Sequence, residues 1–146
     1  MRTKLAILLG FAALTTGNAF ADQDSDAIKQ HGLPGHWAVR CQERPSAQNP
    51  HQFFVASPIG NSIEQLATGD PATSGVLLLS NVHILSPDQI AYTTTINGVL
   101  YNIMIAKSGN KHRTMDNVTS TGQAVTSHGI ITATGAETFW LERCPD

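Results

Sequence analysis

The chain has 146 residues and a formal net charge of −2 at pH 7, with charged residues making up only 14% of it. A mildly acidic chain without a basic stripe excludes a nucleic-acid binder and a protein drawn to an anionic membrane surface. The length suits one domain with a single core, and the plentiful Thr, Ser, Gly and Asn favour strands and turns over helices.

The opening MRTKLAILLGFAALTTGNAFA has a basic start (Arg2, Lys4), an apolar run from Leu5 to Leu14, and Ala19 and Ala21 in the frame of an A-x-A cleavage site. This pattern predicts a secretory signal peptide over residues 1–21, delivery to a bacterial periplasm, and a mature chain that begins at Asp22. The apolar run is shorter than the roughly 20 residues a membrane span needs. No other stretch approaches that length, so no span is expected. Asp22 in place of a cysteine also speaks against a lipid-anchored product.

Residues 22–33, DQDSDAIKQHGL, are polar and acidic, and predict a flexible tail ahead of a single β domain over residues 34–146. From Leu33 onward, short apolar runs alternate with turn residues. HWAVRCQ and HQFFVAS read as strands, whereas IEQLATG fits either a strand or a helical turn. VLLLSNVHIL is a long strand candidate, followed by SPDQ with proline at the second turn position. Next comes QIAYTTTI-NG-VLYNIMIA, whose Asn97-Gly98 pair is a strong hairpin signal.

A two-residue turn there pairs Ile96 with Val99, Thr94 with Tyr101, Tyr92 with Ile103 and Ile90 with Ile105 on one largely apolar face. The other face pairs Thr95 with Leu100, Thr93 with Asn102, Ala91 with Met104 and Gln89 with Ala106. A slip of one residue would invert both faces. KHRTMDNV, AVTSHGIITAT and FWLERC complete the series, separated by SGN, STGQ and GAET. The predicted fold is all-β, a small antiparallel barrel or sandwich with little helix.

The two tryptophans and two cysteines of the chain stand in matching pentads, WAVRC (Trp37 to Cys41) and WLERC (Trp140 to Cys144). Two cysteines in an exported protein predict one disulfide, Cys41–Cys144, joining the ends of the domain. If the pentads are parallel neighbours in register, the cysteines lie side by side. If they are antiparallel with each tryptophan opposite a cysteine, the sulfurs are four residues out of step and beyond bridging distance. Equal spacing thus favours an odd strand count or a crossing between sheets. A bridge made by loops beyond the strand ends is the other solution.

No motif carries chemistry. The six histidines match no zinc spacing, and no G-x-S-x-G elbow occurs. The acids Glu64, Asp70, Asp88, Asp116 and Glu137 form no evident pair. Asn117-Val118-Thr119 has the glycosylation form, but the leader is of bacterial type. No metal site, cofactor or catalytic group is therefore assigned. Tyr92, Tyr101 and Ile103, on the apolar hairpin face, either fill the core or line a cavity.

The segment Gly35-His36-Trp37, followed by a run of strands and a late cysteine, resembles the G-x-W opening of lipocalin-like (calycin) barrels. The resemblance implies that Trp37 plugs one end of a barrel whose other end admits a small apolar ligand, with Arg143 packed over the indole. Candidate ligand-binding residues are then Trp37, Tyr92, Tyr101, Ile103 and Arg143. The family's usual length and carboxy-terminal helix are missing. Small secreted bacterial protease inhibitors share a related barrel, so the alternative is a protein-interaction or inhibitor-like role through an exposed segment such as residues 22–33.

Overall fold

The computed structural model describes residues 17–145. Residues 1–16 of the expected signal peptide lie outside the described residues. A helix, α1 (Gly17–His31), precedes β1 (Gly35–Ala38), β2 (His51–Val55), β3 (Ser62–Ala67), β4 (Gly75–Ser86), β5 (Gln89–Ile96), β6 (Val99–Ser108), β7 (Lys111–Thr119), β8 (Ala124–Ser127), β9 (Ile130–Ile131) and β10 (Leu141–Arg143). Each strand from β1 to β7 pairs with the next, and β10 pairs with both β1 and β7. The result is a closed antiparallel barrel of eight strands, with β8 and β9 extending beyond β7.

The hairpin β5–β6 has all eight expected pairs, from Ile96↔Val99 to Gln89↔Ala106. Asn97 and Gly98 both take positive φ, 51° and 79°, which sets the local twist to that of the flanking strands. The apolar face points inward, burying Ile90, Tyr92, Thr94, Ile103 and Ile105. The ambiguous IEQLATG is a strand, because β2 and β4 satisfy its backbone on both sides.

Two expectations fail. Residues 22–33 are not a tail: they carry most of α1 and its exit, and bury Ser25, Ile28, His31 and Leu33. Ser25, Ile28 and His31 follow at spacings of three residues along the helix, a stripe facing the barrel, and Leu33 buries just past its end. The helix stops at Gly32, whose φ is +75°. Its N–H bonds the Lys29 carbonyl and that of Leu33 bonds the Ile28 carbonyl, a glycine-terminated cap. Asp24 fixes the helix to the wall by accepting from the Val82 N–H at 2.8 Å, beside a bulge where Asn81 takes a φ of 50°.

The parallel arrangement of the terminal strands also fails. β1 and β10 are antiparallel, with Trp37 opposite Arg143 and Ala38 opposite Glu142. A ring whose neighbours are all antiparallel must hold an even number of strands. Cys41 and Cys144 lie just past the ends of β1 and β10, their Cα atoms 5.4 Å apart in the disulfide. The bridge therefore belongs to the loops. Buried Asn49 makes this possible: its Oδ1 accepts from the Arg40 N–H at 2.8 Å and its Nδ2 donates to the Arg40 and Arg44 carbonyls. The loop over residues 39–50 is thereby folded back on the barrel wall.

Candidate functional site

The two ends of the barrel differ. One holds the β4–β5 and β6–β7 turns, the start of β1 and the C-terminal end of α1; its interior is filled, and a surface cleft of about 500 Å³ lies outside it, between His31 of α1 and Ile84 to Pro87. Trp37 is 2% exposed there, among Ile28, Leu33, Phe54 and Leu141. Its indole N–H donates to the Leu33 carbonyl at 2.8 Å. The Arg143 guanidinium carbon lies 4.4 Å from the indole centroid, a cation–π contact. The same guanidinium donates to the Pro34 carbonyl at 2.7 Å and to the Gly32 carbonyl. Lys107 Nζ donates to the His31 carbonyl at 3.0 Å, closing the helix end onto β6.

Gly35 permits this packing. Its φ is +125°, and a Cβ there would meet Arg143 Nη1 at 2.6 Å. Gly35→Ala is therefore expected to cost about 1–3 kcal/mol and to push the guanidinium off Trp37. Thermal unfolding and the Trp37 emission check this together, and an unchanged midpoint would refute it.

The closed end also buries histidines. His112 is 1% exposed, stacks on Trp37 at 4.4 Å between ring centroids and meets Phe54 edge-on at 5.8 Å. Neither of its ring nitrogens has a partner, and the same holds for His31. Burial, with the charges of His31 and Arg143 adding to it, pushes His112 down to about 3. His31 is lowered by burial and then by Lys107, with Asp88 opposing. Both rings are thus neutral at neutral pH.

The opposite end is a mouth. Its rim carries the β5–β6 turn and the β3–β4 loop, and a cavity of about 340 Å³ there is walled by Leu66, Leu77, Ile96, the loop residues Ala72 to Ser74 and the start of β4. A second cavity of about 200 Å³, also reaching Leu66, is walled by Pro50, Gln52, Thr114, Phe139 and Leu141. Beneath the rim, the register Phe54↔Glu64↔Leu77 turns Glu64 into the barrel, where it is 3% exposed. Tyr92 donates its hydroxyl to Glu64 Oε2 at 2.7 Å. Burial pushes the Glu64 carboxyl up to about 7, against the opposing hydrogen bond from Tyr92. Tyr92 is pushed well above its ordinary value by burial, the Glu64 charge and the same hydrogen bond.

No family model, curated protein or solved structure matches this chain. Its geometry must therefore speak for itself. Of the residues singled out in the sequence, Tyr92 and Ile103 sit inside the barrel and Tyr101 is half-buried in the row above them. Trp37 and Arg143 meet at the closed end, away from the mouth. Cys41 and Cys144 form the bridge. Asp116 accepts from the His128 N–H at 3.0 Å in the β8–β9 turn, a structural task. Among the described residues, no three His, Cys, Asp or Glu side chains converge as metal ligands, and no helix is long and apolar enough to cross a membrane.

The sequence reading missed the partnership of Glu64 with Tyr92. Glu64 stands in a strand whose two faces are both mixed, Ser62-Glu64-Leu66 and Ile63-Gln65-Ala67. Alternation alone cannot choose between them. The reading also missed the His36–His51 contact, in which His36 Nε2 and His51 Nδ1 lie 2.8 Å apart. Asn49 Nδ2 also lies 3.0 Å from His51 Nε2, so the loop amide and the two rings form one chain of polar contacts.

Proposed function

We propose that this protein is an exported, non-enzymatic binding module of the bacterial periplasm that takes a small apolar ligand at the open end of its barrel. The observation that carries this reading is the unequal closure of the two ends. One end is packed by α1 and Trp37; the other leaves the inward residues Leu66, Leu77 and Ile96 half-exposed around a cavity of about 340 Å³. That volume lies in the range of small-molecule sites. A ligand there removes apolar surface from water, which stabilises the complex by about 25 cal/mol per Å². The arrangement of Gly35, Trp37 and Arg143 supports a lipocalin-like relationship, and the leader together with the disulfide supports export.

Titration with the apolar dye 1-anilinonaphthalene-8-sulfonate tests the site. Saturable, single-site binding with blue-shifted emission is expected, weakened about tenfold or more by Leu77→Trp, which fills the mouth. Binding that ignores this substitution counts against the reading.

A second reading, a protein-interaction module, is favoured by Phe139 and Trp140, which are 43% and 37% exposed near β10. Residues 22–33 would not serve as its inhibitory segment, because their apolar side chains are packed in the core.

A further inference from the structure

Glu64 is an unexpected floor for an apolar mouth. A buried carboxylate without a cation is costly, and the salt bridges among the described residues, Arg40–Glu43 and Arg113–Glu137, do not include it. The Tyr92 hydroxyl is its one side-chain donor, held at Oε2. Two other interior oxygens lack partners, Thr94 Oγ1 and Asn117 Oδ1. Thr94 follows Tyr92 by two residues on the inward face of β5, and Asn117 stands in line with Tyr92 through Ile103. Glu64 pairs directly with Leu77 and precedes Leu66 by two residues, and both leucines wall the mouth cavity. Glu64 therefore stands beside the cavity wall, in the row of Leu77. Apart from the Tyr92 hydroxyl, no side-chain donor reaches the Glu64 carboxyl among the described residues.

We propose that the mouth takes a short amphipathic primary amine, whose ammonium meets Glu64 while its apolar body lies among Leu66, Leu77 and Ile96. This deepens the binding-module reading and rests on it. An ammonium brings three donors and no acceptor, which suits the Glu64 carboxylate. A carboxylate ligand would set two like charges side by side and be rejected. Glu64 pairs with the uncharged Phe54 on β2 and Leu77 on β4 and accepts from Tyr92 on β5, and among the described residues no salt bridge supplies it a counter-charge. A bound ammonium favours the ionised carboxyl, so amine affinity rises with pH toward about 7 and levels off above it.

Calorimetric titration of the wild-type protein at pH 8 with 1-hexylamine, 1-hexanol and hexanoate tests the assignment. Hexylamine is expected to bind about tenfold or more tighter than hexanoate, with hexanol between them. Glu64→Gln abolishes that preference, whereas Tyr92→Phe, which keeps the charge, retains it. If the Gln variant does not fold, the wild type reads the same chemistry: lowering the pH to 5.5 weakens hexylamine and leaves hexanol unchanged. Equal affinity for the three probes, a preference that survives Glu64→Gln, or a pH-independent hexylamine affinity overturns the role of Glu64 but leaves the binding module standing. Failure of all three probes to bind overturns both.

Discussion

Replacing Cys41 and Cys144 together by serine is expected to lower the unfolding free energy by about 4–5 kcal/mol. The bridge joins residues 103 positions apart, and chain entropy puts a loop of that order at about 4.7 kcal/mol. A domain of this size has only about 5–15 kcal/mol in hand. The native side offers no easy replacement, because β10 meets β1 through two residue pairs and β7 through two. Denaturant unfolding with and without reductant checks this, and superimposable curves would sink it. Because the cysteines sit in loops outside the ladder, the serine variant should refold to the same barrel at low temperature, with the same β5–β6 register.

The second large effect is the response to acid. His112 is a base whose pKa falls from 6.5 unfolded to about 3 folded. Below pH 6.5 the unfolded chain binds a proton that the native chain refuses, so stability falls as pH falls. The full loss from this group is about 5 kcal/mol by pH 3. Glu64 pulls the other way. Its pKa is 4.5 unfolded and about 7 folded, so the native chain holds the extra proton between those values and stability falls as pH rises through them, by about 3 kcal/mol.

Between pH 4.5 and 6.5 the two effects cancel. His31 and His36 then tilt the curve, both lowered by burial first, with Lys107 adding to the effect on His31 and His51 to that on His36. Stability is therefore expected to change gently from pH 6.5 to 4.5 and to drop steeply below. His112→Phe keeps the stack on Trp37, removes two unpartnered nitrogens, raises stability at pH 7 by about 1–3 kcal/mol and flattens the acid limb. Glu64→Gln instead steepens the stretch between pH 4.5 and 6.5. Urea midpoints measured across pH for the three proteins separate these curves; an acid limb untouched by His112→Phe would refute the assignment.

The parts of the fold legible in the sequence are those decided by local chemistry. Asn97-Gly98 sets a turn of fixed register, so the pairing and inward face of β5–β6 follow without any knowledge of the rest. Helix α1 was hidden because its buried stripe is Ser25, Ile28 and His31: two of these three are polar, and their burial depends on a barrel end the local sequence cannot announce. The terminal pentads misled for a related reason. Equal spacing suggests equal register, but Asn49 folds the loop after β1 back, and that reversal is a long-range hydrogen-bonding event. At the mouth, Tyr92, Tyr101 and Ile103 were readable as inward residues, while Glu64 was only one acid among several until the neighbours of β3 fixed its facing.

The short β10 has a further consequence. A closed barrel hides every strand edge, but this one is completed by only three residues, Leu141–Arg143. Detachment of that piece would bare the backbone donors and acceptors of β1 and β7 at once, and such unpaired edges invite pairing with another chain. The long strands β4 to β7 would still form an intact sheet, extended, twisted and now open at the side. The protein's resistance to aggregation therefore rests on a latch of three residues, tethered by the bridge just beyond it.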